Sequence, residues 1–149
     1  MRTAIVASLI ACMPAVGAAK PCWTPKAAEA VAVRVLQSEL TVGAIACAMP
    51  APYASFVANQ SETLRRHGAA LNAFYAETRG EGGARAVDAL VTRLANEAST
   101  RKVDWPEGYC EFMLALTERA ASLNPDDLAS FAASHPHAKR TVAKGACDR

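Results

Sequence analysis

Aromatic residues are scarce in this chain. Four Phe, three Tyr and two Trp make up 6% of the 149 residues. With alanine abundant, that balance favours helices in close contact over a sheet. An excess of one charge is lacking too. Sixteen Lys and Arg stand against 14 Asp and Glu, a formal +2, so no strong field draws the chain to nucleic acid or to anionic lipid. Catalytic signatures are missing. The glycines at 80, 82 and 83 follow a helical pattern, and no Lys-Ser/Thr comes after them, which argues against a phosphate-binding loop. The chain has no Gly-x-Ser-x-Gly, no His-Glu-x-x-His and no Cys-x-x-Cys, so a thioredoxin-like redox role is not expected. After the N-terminus no segment reads as membrane-spanning. Residues 27–49 are apolar, but Glu29, Arg34, Gln37 and Glu39 interrupt them, and central charges are costly in lipid.

What is present begins with an export signal. Met1-Arg2 gives a short positive end, Thr3 to Met13 is almost uninterruptedly apolar, and Pro14 precedes the small residues Ala15-Val16-Gly17-Ala18-Ala19. Residues 1–19 therefore read as a signal peptide, cut after Ala18 or Ala19. Leu9-Ile10-Ala11-Cys12 offers a second reading: it resembles the lipobox of bacterial lipoproteins, in which Cys12 would carry lipid and anchor the chain. Residues 20–149 form one domain of about 130 residues, enough to bury roughly two-thirds of its unfolded surface.

The remaining cysteines, Cys22, Cys47, Cys110 and Cys147, are even in number, and in an oxidising compartment that predicts two disulfides. Thr24-Pro25 opens a helix with a hydroxyl cap and an N1 proline. Val31, Val33 and Val35 alternate like a strand, but the apolar pattern runs on through Leu36, Leu40, Ile45 and Cys47 without a turn signal, and its length decides for a central helix. Such a helix separates Cys22 from Cys47 by roughly 37 Å, far beyond the reach of about 7 Å that a disulfide allows. Each must pair elsewhere.

The pattern continues as a short helix near Tyr53 to Ala58. A longer helix follows, opened by the capping box Asn59-Gln60-Ser61-Glu62 and running to about Thr78. A third long helix spans about Ala84 to Ser99, with Val87, Leu90, Val91, Leu94 and Ala98 as its core stripe. A fourth follows Pro106, with Tyr109, Phe112, Met113, Leu116, Ala120 and Leu123 inward. Asn124-Pro125-Asp126-Asp127 restarts a short helix, and from about residue 135 the tail is irregular. The expected fold is thus all-α: a bundle of about four long and two short helices stapled by two disulfides. If the long helices alternate up and down, Cys47 meets Cys110 and Cys22 meets Cys147. If the second and third helices are comparable in length, the parity flips, giving Cys22–Cys110 and Cys47–Cys147.

Taken together, Cys22, Glu39-Leu40-x-Val42-x-Ala44, Cys47, Tyr53-x-x-Phe56, Gly80, Leu94-Ala95-Asn96-x-x-Ser99 and Cys110 resemble small exported, disulfide-containing helical proteins of alphaproteobacterial type that carry no assigned activity. The resemblance implies a periplasmic helical fold. It transfers no catalytic residue and no cofactor.

Candidate sites are few. His135 and His137 are the best metal candidates, one residue apart, but a site needs three or four convergent ligands. Arg65-Arg66-His67 with Lys139-Arg140 and Lys144 is a candidate basic patch. In Asp104-Trp105-Pro106-Glu107-Gly108-Tyr109, Trp105 and Tyr109 beside carboxylates suggest a partner surface, unless Trp105 packs as a staple on the following helix. Trp23 is expected to pack beside Cys22. The functional expectation is an exported binding or accessory module. The alternatives are a small hydrolase-like periplasmic enzyme and a lipid-anchored envelope protein. An exposed apolar patch near Trp105 would favour binding.

Overall fold

The computed structural model describes residues 22–146. They fold as helices: α1 (Pro25–Ala46), α2 (Pro50–Arg79), α3 (Gly83–Asp104), α4 (Tyr109–Ser122), α5 (Leu128–Ser134) and α6 (Pro136–Ala143), with 3-10 turns at Gly80–Gly82 and Pro125–Asp127. No strand occurs among the described residues, and no helix among them is long and apolar enough to cross a membrane.

The Thr24 hydroxyl caps α1 by accepting from the Ala27 N–H at 3.2 Å, with Pro25 at the first helical position. Every other α-helix, α5 and α6 included, packs against α1. Consequently Val31, Val33, Val35, Leu36 and Leu40 are all buried. The valine alternation that imitates a strand reflects burial on most sides of a helix. The narrow polar stripe stays together: Arg34 donates to Gln37 at 2.9 Å, and Thr41 donates to the Gln37 carbonyl at 2.7 Å. At its end the chain turns sharply. The Met49 N–H reaches back to the Ala44 carbonyl at 2.9 Å, and Ala48 takes φ 52°. This is the left-handed helix stop usually occupied by glycine.

The expected short helix near 53–58 and the long one after it are a single 30-residue helix, α2. The capping box is not a box. Asn59 donates to the Ala121 carbonyl at 3.2 Å, and Gln60 to those of Ala120 and Leu123 at 3.2 and 2.8 Å. Thr63 donates to Pro125 at 3.2 Å. Asn59 and Gln60 thus satisfy carbonyls at the end of α4, and Thr63 one in the turn after it, rather than the start of their own helix. Glu62 pairs with Arg65 instead. The tail also differs from expectation. Residues 136–143 are helical, because Pro136 can start a helix and Ala138 and Thr141 are buried one turn apart. The division into four long and two short helices is redrawn accordingly, with α5 and α6 as the short ones.

Merging the two predicted helices preserves the up-down order of the long ones. The lower end of the bundle holds the start of α1 and the α2–α3 connection; the shorter α4 ends partway down, beside Asn59 and Gln60 of α2. The upper end holds the α1–α2 and α3–α4 connections. Cys47 and Cys110 meet at the upper end in a disulfide, with Cα atoms 5.5 Å apart. The expected Cys22–Cys147 bridge falls on Cys147, which lies outside the described residues, as do the leader and Cys12.

Candidate functional site

The upper end carries the largest exposed apolar side chains. Ile45 is 79% exposed, Val103 78%, Trp105 51% and Phe112 44%. Three constraints place them together. The Cys47–Cys110 bridge ties the end of α1 to the start of α4. The Lys102 ammonium donates to the Ala46 carbonyl, fixing the end of α3 beside Ile45. The Trp105 ring lies 6.0 Å from that of Phe112. Trp105 ends α3, its N–H still bonded to the Arg101 carbonyl at 3.0 Å. Its ring then covers Gly108 so closely that a Cβ there would sit 2.0 Å from it. Trp105 therefore packs as a staple and still leaves half its surface outside. Asp104, Glu107 and Glu111 are exposed around it, giving the patch an acidic rim.

Two expectations change here. Phe112, expected inward, is exposed. Tyr109, read both as inward on this helix and as part of a partner surface, is 3% exposed and belongs to the core. The stripe of α4 explains both: Tyr109, Met113, Thr117 and Ala120 face inward, and Phe112 lies on the flank.

Beneath the patch sits a buried polar group. Glu39, 3% exposed on α1, accepts from Arg101 on α3, and its other oxygen lies 3.4 Å from His135 Nε2. Burial pushes the Glu39 carboxyl up to about 7, against the pull of Arg101 and Arg140. Burial, then Arg101 and Arg140, hold His135 below the ordinary imidazole value. His135 is thus neutral near neutral pH, and its contact with Glu39 is a polar contact rather than a charge pair. Burial likewise raises the Tyr109 hydroxyl, with Glu39 adding to the rise and Arg101 opposing it. A carboxyl titrating near neutrality beside an imidazole suits proton transfer. Here, though, both carboxylate oxygens are occupied and the group is shut away from solvent, so it ties α1, α3 and the α5–α6 corner together.

The two metal candidates are brought close but turned apart. Their rings are 5.4 Å apart, His135 faces Glu39, and His137 Nδ1 faces Arg140. Burial and the neighbouring cations push His137 down to about 4. No cluster of three or more His, Cys, Asp or Glu is arranged to hold a metal among the described residues. The basic patch does not assemble either. Arg65 is paired with Glu62, His67 is buried, and Lys139 and Lys144 border different cavities.

Sequence reading missed Glu39 and Arg101 as partners. The available signal was Glu39 itself, a carboxylate in an otherwise apolar stretch of the central helix. No known family model, curated protein or solved structure matches the chain.

Proposed function

We propose that this chain is an exported module of the bacterial cell envelope that works by binding a protein partner. The observation that supports it is the upper patch, where Ile45, Val103, Trp105 and Phe112 lie exposed at one end, while Leu114, on another flank of α4, is less exposed than any of them. Patches of this kind, rimmed by polar residues, mark interaction surfaces. The exposed Asp104, Glu107 and Glu111 select a partner that offers an apolar centre ringed by Lys and Arg. A photoreactive side chain at position 105 is expected to crosslink one envelope protein. Replacing Trp105 and Phe112 by Ala is expected to weaken the purified pair roughly tenfold or more. Equal crosslinking from position 114, on the opposite flank of α4, or unchanged affinity overturns the reading.

Export and a second disulfide belong to the same proposal. Trp23 N–H donates to the Gly145 carbonyl at 2.9 Å, which brings the two ends of the described chain side by side, next to Cys22 and two residues short of Cys147. Envelope-derived protein beginning at Ala19 or Lys20 should weigh about four daltons less than its reduced form, two for each bridge. A chain beginning at Cys12 and carrying acyl groups would replace this reading with the anchored one.

A further inference from the structure

The lower end holds a cleft of about 100 Å³ that the patch does not involve. Its apolar wall is aromatic. The Trp23 ring lies 5.2 Å from Phe74 and 5.9 Å from Tyr75, centroid to centroid, and Phe74 and Tyr75 are 6% and 9% exposed. Its polar wall is cationic: Arg79 from the end of α2, Arg93 from the middle of α3 and Lys144 from the end of α6. Among the described residues, no carboxylate lines the cleft. Arg93 shares a half-exposed Glu97 at 3.6 Å, while Arg79 and Lys144 enter no ion pair among the described residues. Cations near helix C-termini are favoured by the helix dipole alone, which covers Arg79 and Lys144. It does not cover Arg93, which stands mid-helix. Both guanidiniums act on the Tyr75 hydroxyl, opposing the rise that burial imposes on it, so their charge reaches the aromatic wall.

One donor is left over. Trp23 Nε1 is buried with no hydrogen-bond partner among the described residues, and a buried indole N–H ordinarily finds an acceptor. The ring is held over Gly145, where a Cβ would lie 1.7 Å from Nε1. A glycine there leaves room for the indole that lines the cleft.

We propose that this cleft binds a small organic carboxylate with a flat apolar body, such as an aromatic acid. The guanidiniums match a carboxylate in bidentate geometry, and the rings offer an apolar face for the flat body. The volume exceeds a water's share of roughly 30 Å³ severalfold. This inference does not depend on the partner surface at the other end.

The test uses the mature, oxidised chain with Trp105→Phe, which leaves Trp23 as its fluorophore. Benzoate is titrated at low salt, with inorganic phosphate in parallel. A saturable change in Trp23 emission is expected with benzoate and a weaker response with phosphate. Arg93→Gln and Lys144→Gln, each checked for unchanged helicity, are expected to weaken benzoate binding roughly tenfold. Absence of a saturable change with benzoate overturns the proposal. So does benzoate binding that neither substitution weakens. Phosphate binding as tightly as benzoate overturns the assigned ligand class, because the rings then contribute nothing.

Discussion

Each end of the bundle lays a tryptophan over a glycine. At the upper end Trp105 covers Gly108, its near neighbour in sequence; at the lower end Trp23 covers Gly145, from the far end of the chain. The same pair of residue types does two different jobs. The upper pair is a local staple, and its ring keeps half its surface outside. The lower pair is a long-range clasp, its ring walled in by Phe74 and Tyr75. One presents apolar surface outward, and the other shapes a cleft inward. What separates them is the number of elements that converge on each ring, not the residues themselves.

The upper end depends on its bridge. Replacing Cys47 and Cys110 by Ala is expected to cost about 2–4 kcal/mol, since it frees a loop of 63 residues in the unfolded chain; urea unfolding of the double variant checks this. The two glycines give the most direct contrast. Gly145→Ala forces a boxed ring to move and is expected to cost about 1–3 kcal/mol. Gly108→Ala meets the outer edge of a half-exposed ring free to swing away, and should cost less than about 1 kcal/mol. Equal losses would mean that the two pairs are the same device after all. At the lower end of α4, Gln60→Ala leaves buried carbonyls of Ala120 and Leu123 unpaired and is expected to cost about 1–3 kcal/mol.

The polar group under the upper patch makes the ends differ in pH response. Glu39 is raised to about 7, whereas an unfolded Glu titrates near ~4.3. Its contribution is therefore complete below the unfolded value and is lost as pH climbs toward about 7. His135 and His137 are lowered, His137 to about 4. Their contribution is present above the ordinary imidazole value and is lost as pH falls. The two slopes oppose each other. With His67 lowered as well, stability of Glu39→Gln is expected to rise with pH between about pH 4.5 and 6.5 more steeply than that of the native chain. Denaturant midpoints at three pH values decide it. The smallest effect is a gain: Ala48→Gly relieves the positive φ at the end of α1 and should add about 0.5–1 kcal/mol.

Local signals proved the legible ones. Thr24-Pro25 starts α1 where the hydroxyl cap and proline place it, and the stripe Leu90, Leu94, Ala98 faces the core. The Cys47–Cys110 bridge followed from helix parity, which survived the merging of two predicted helices into α2. Asn59-Gln60-Ser61-Glu62 misled because a capping box and a set of side chains reaching a neighbouring helix have the same composition. Only the tertiary partner, the end of α4, tells them apart. The tail was read as irregular because α6 is barely two turns long, too short for its spacing to stand out. The inward stripe expected of Tyr109, Met113 and Ala120 holds, whereas Phe112, put in the same stripe, lies on its flank because it is one position off the 109–113–120 spacing. The cations of the lower cleft are scattered through the sequence at 79, 93 and 144, so no spacing rule could assemble them.

The Trp23–Gly145 clasp also fixes how the molecule can be held. Both ends of the described chain leave from the lower end. The apolar patch lies at the opposite one, separated by the 22 residues of α1, a span of about 33 Å. A tag, a fusion or a surface attached through either end therefore holds the molecule by its base and leaves the patch pointing away.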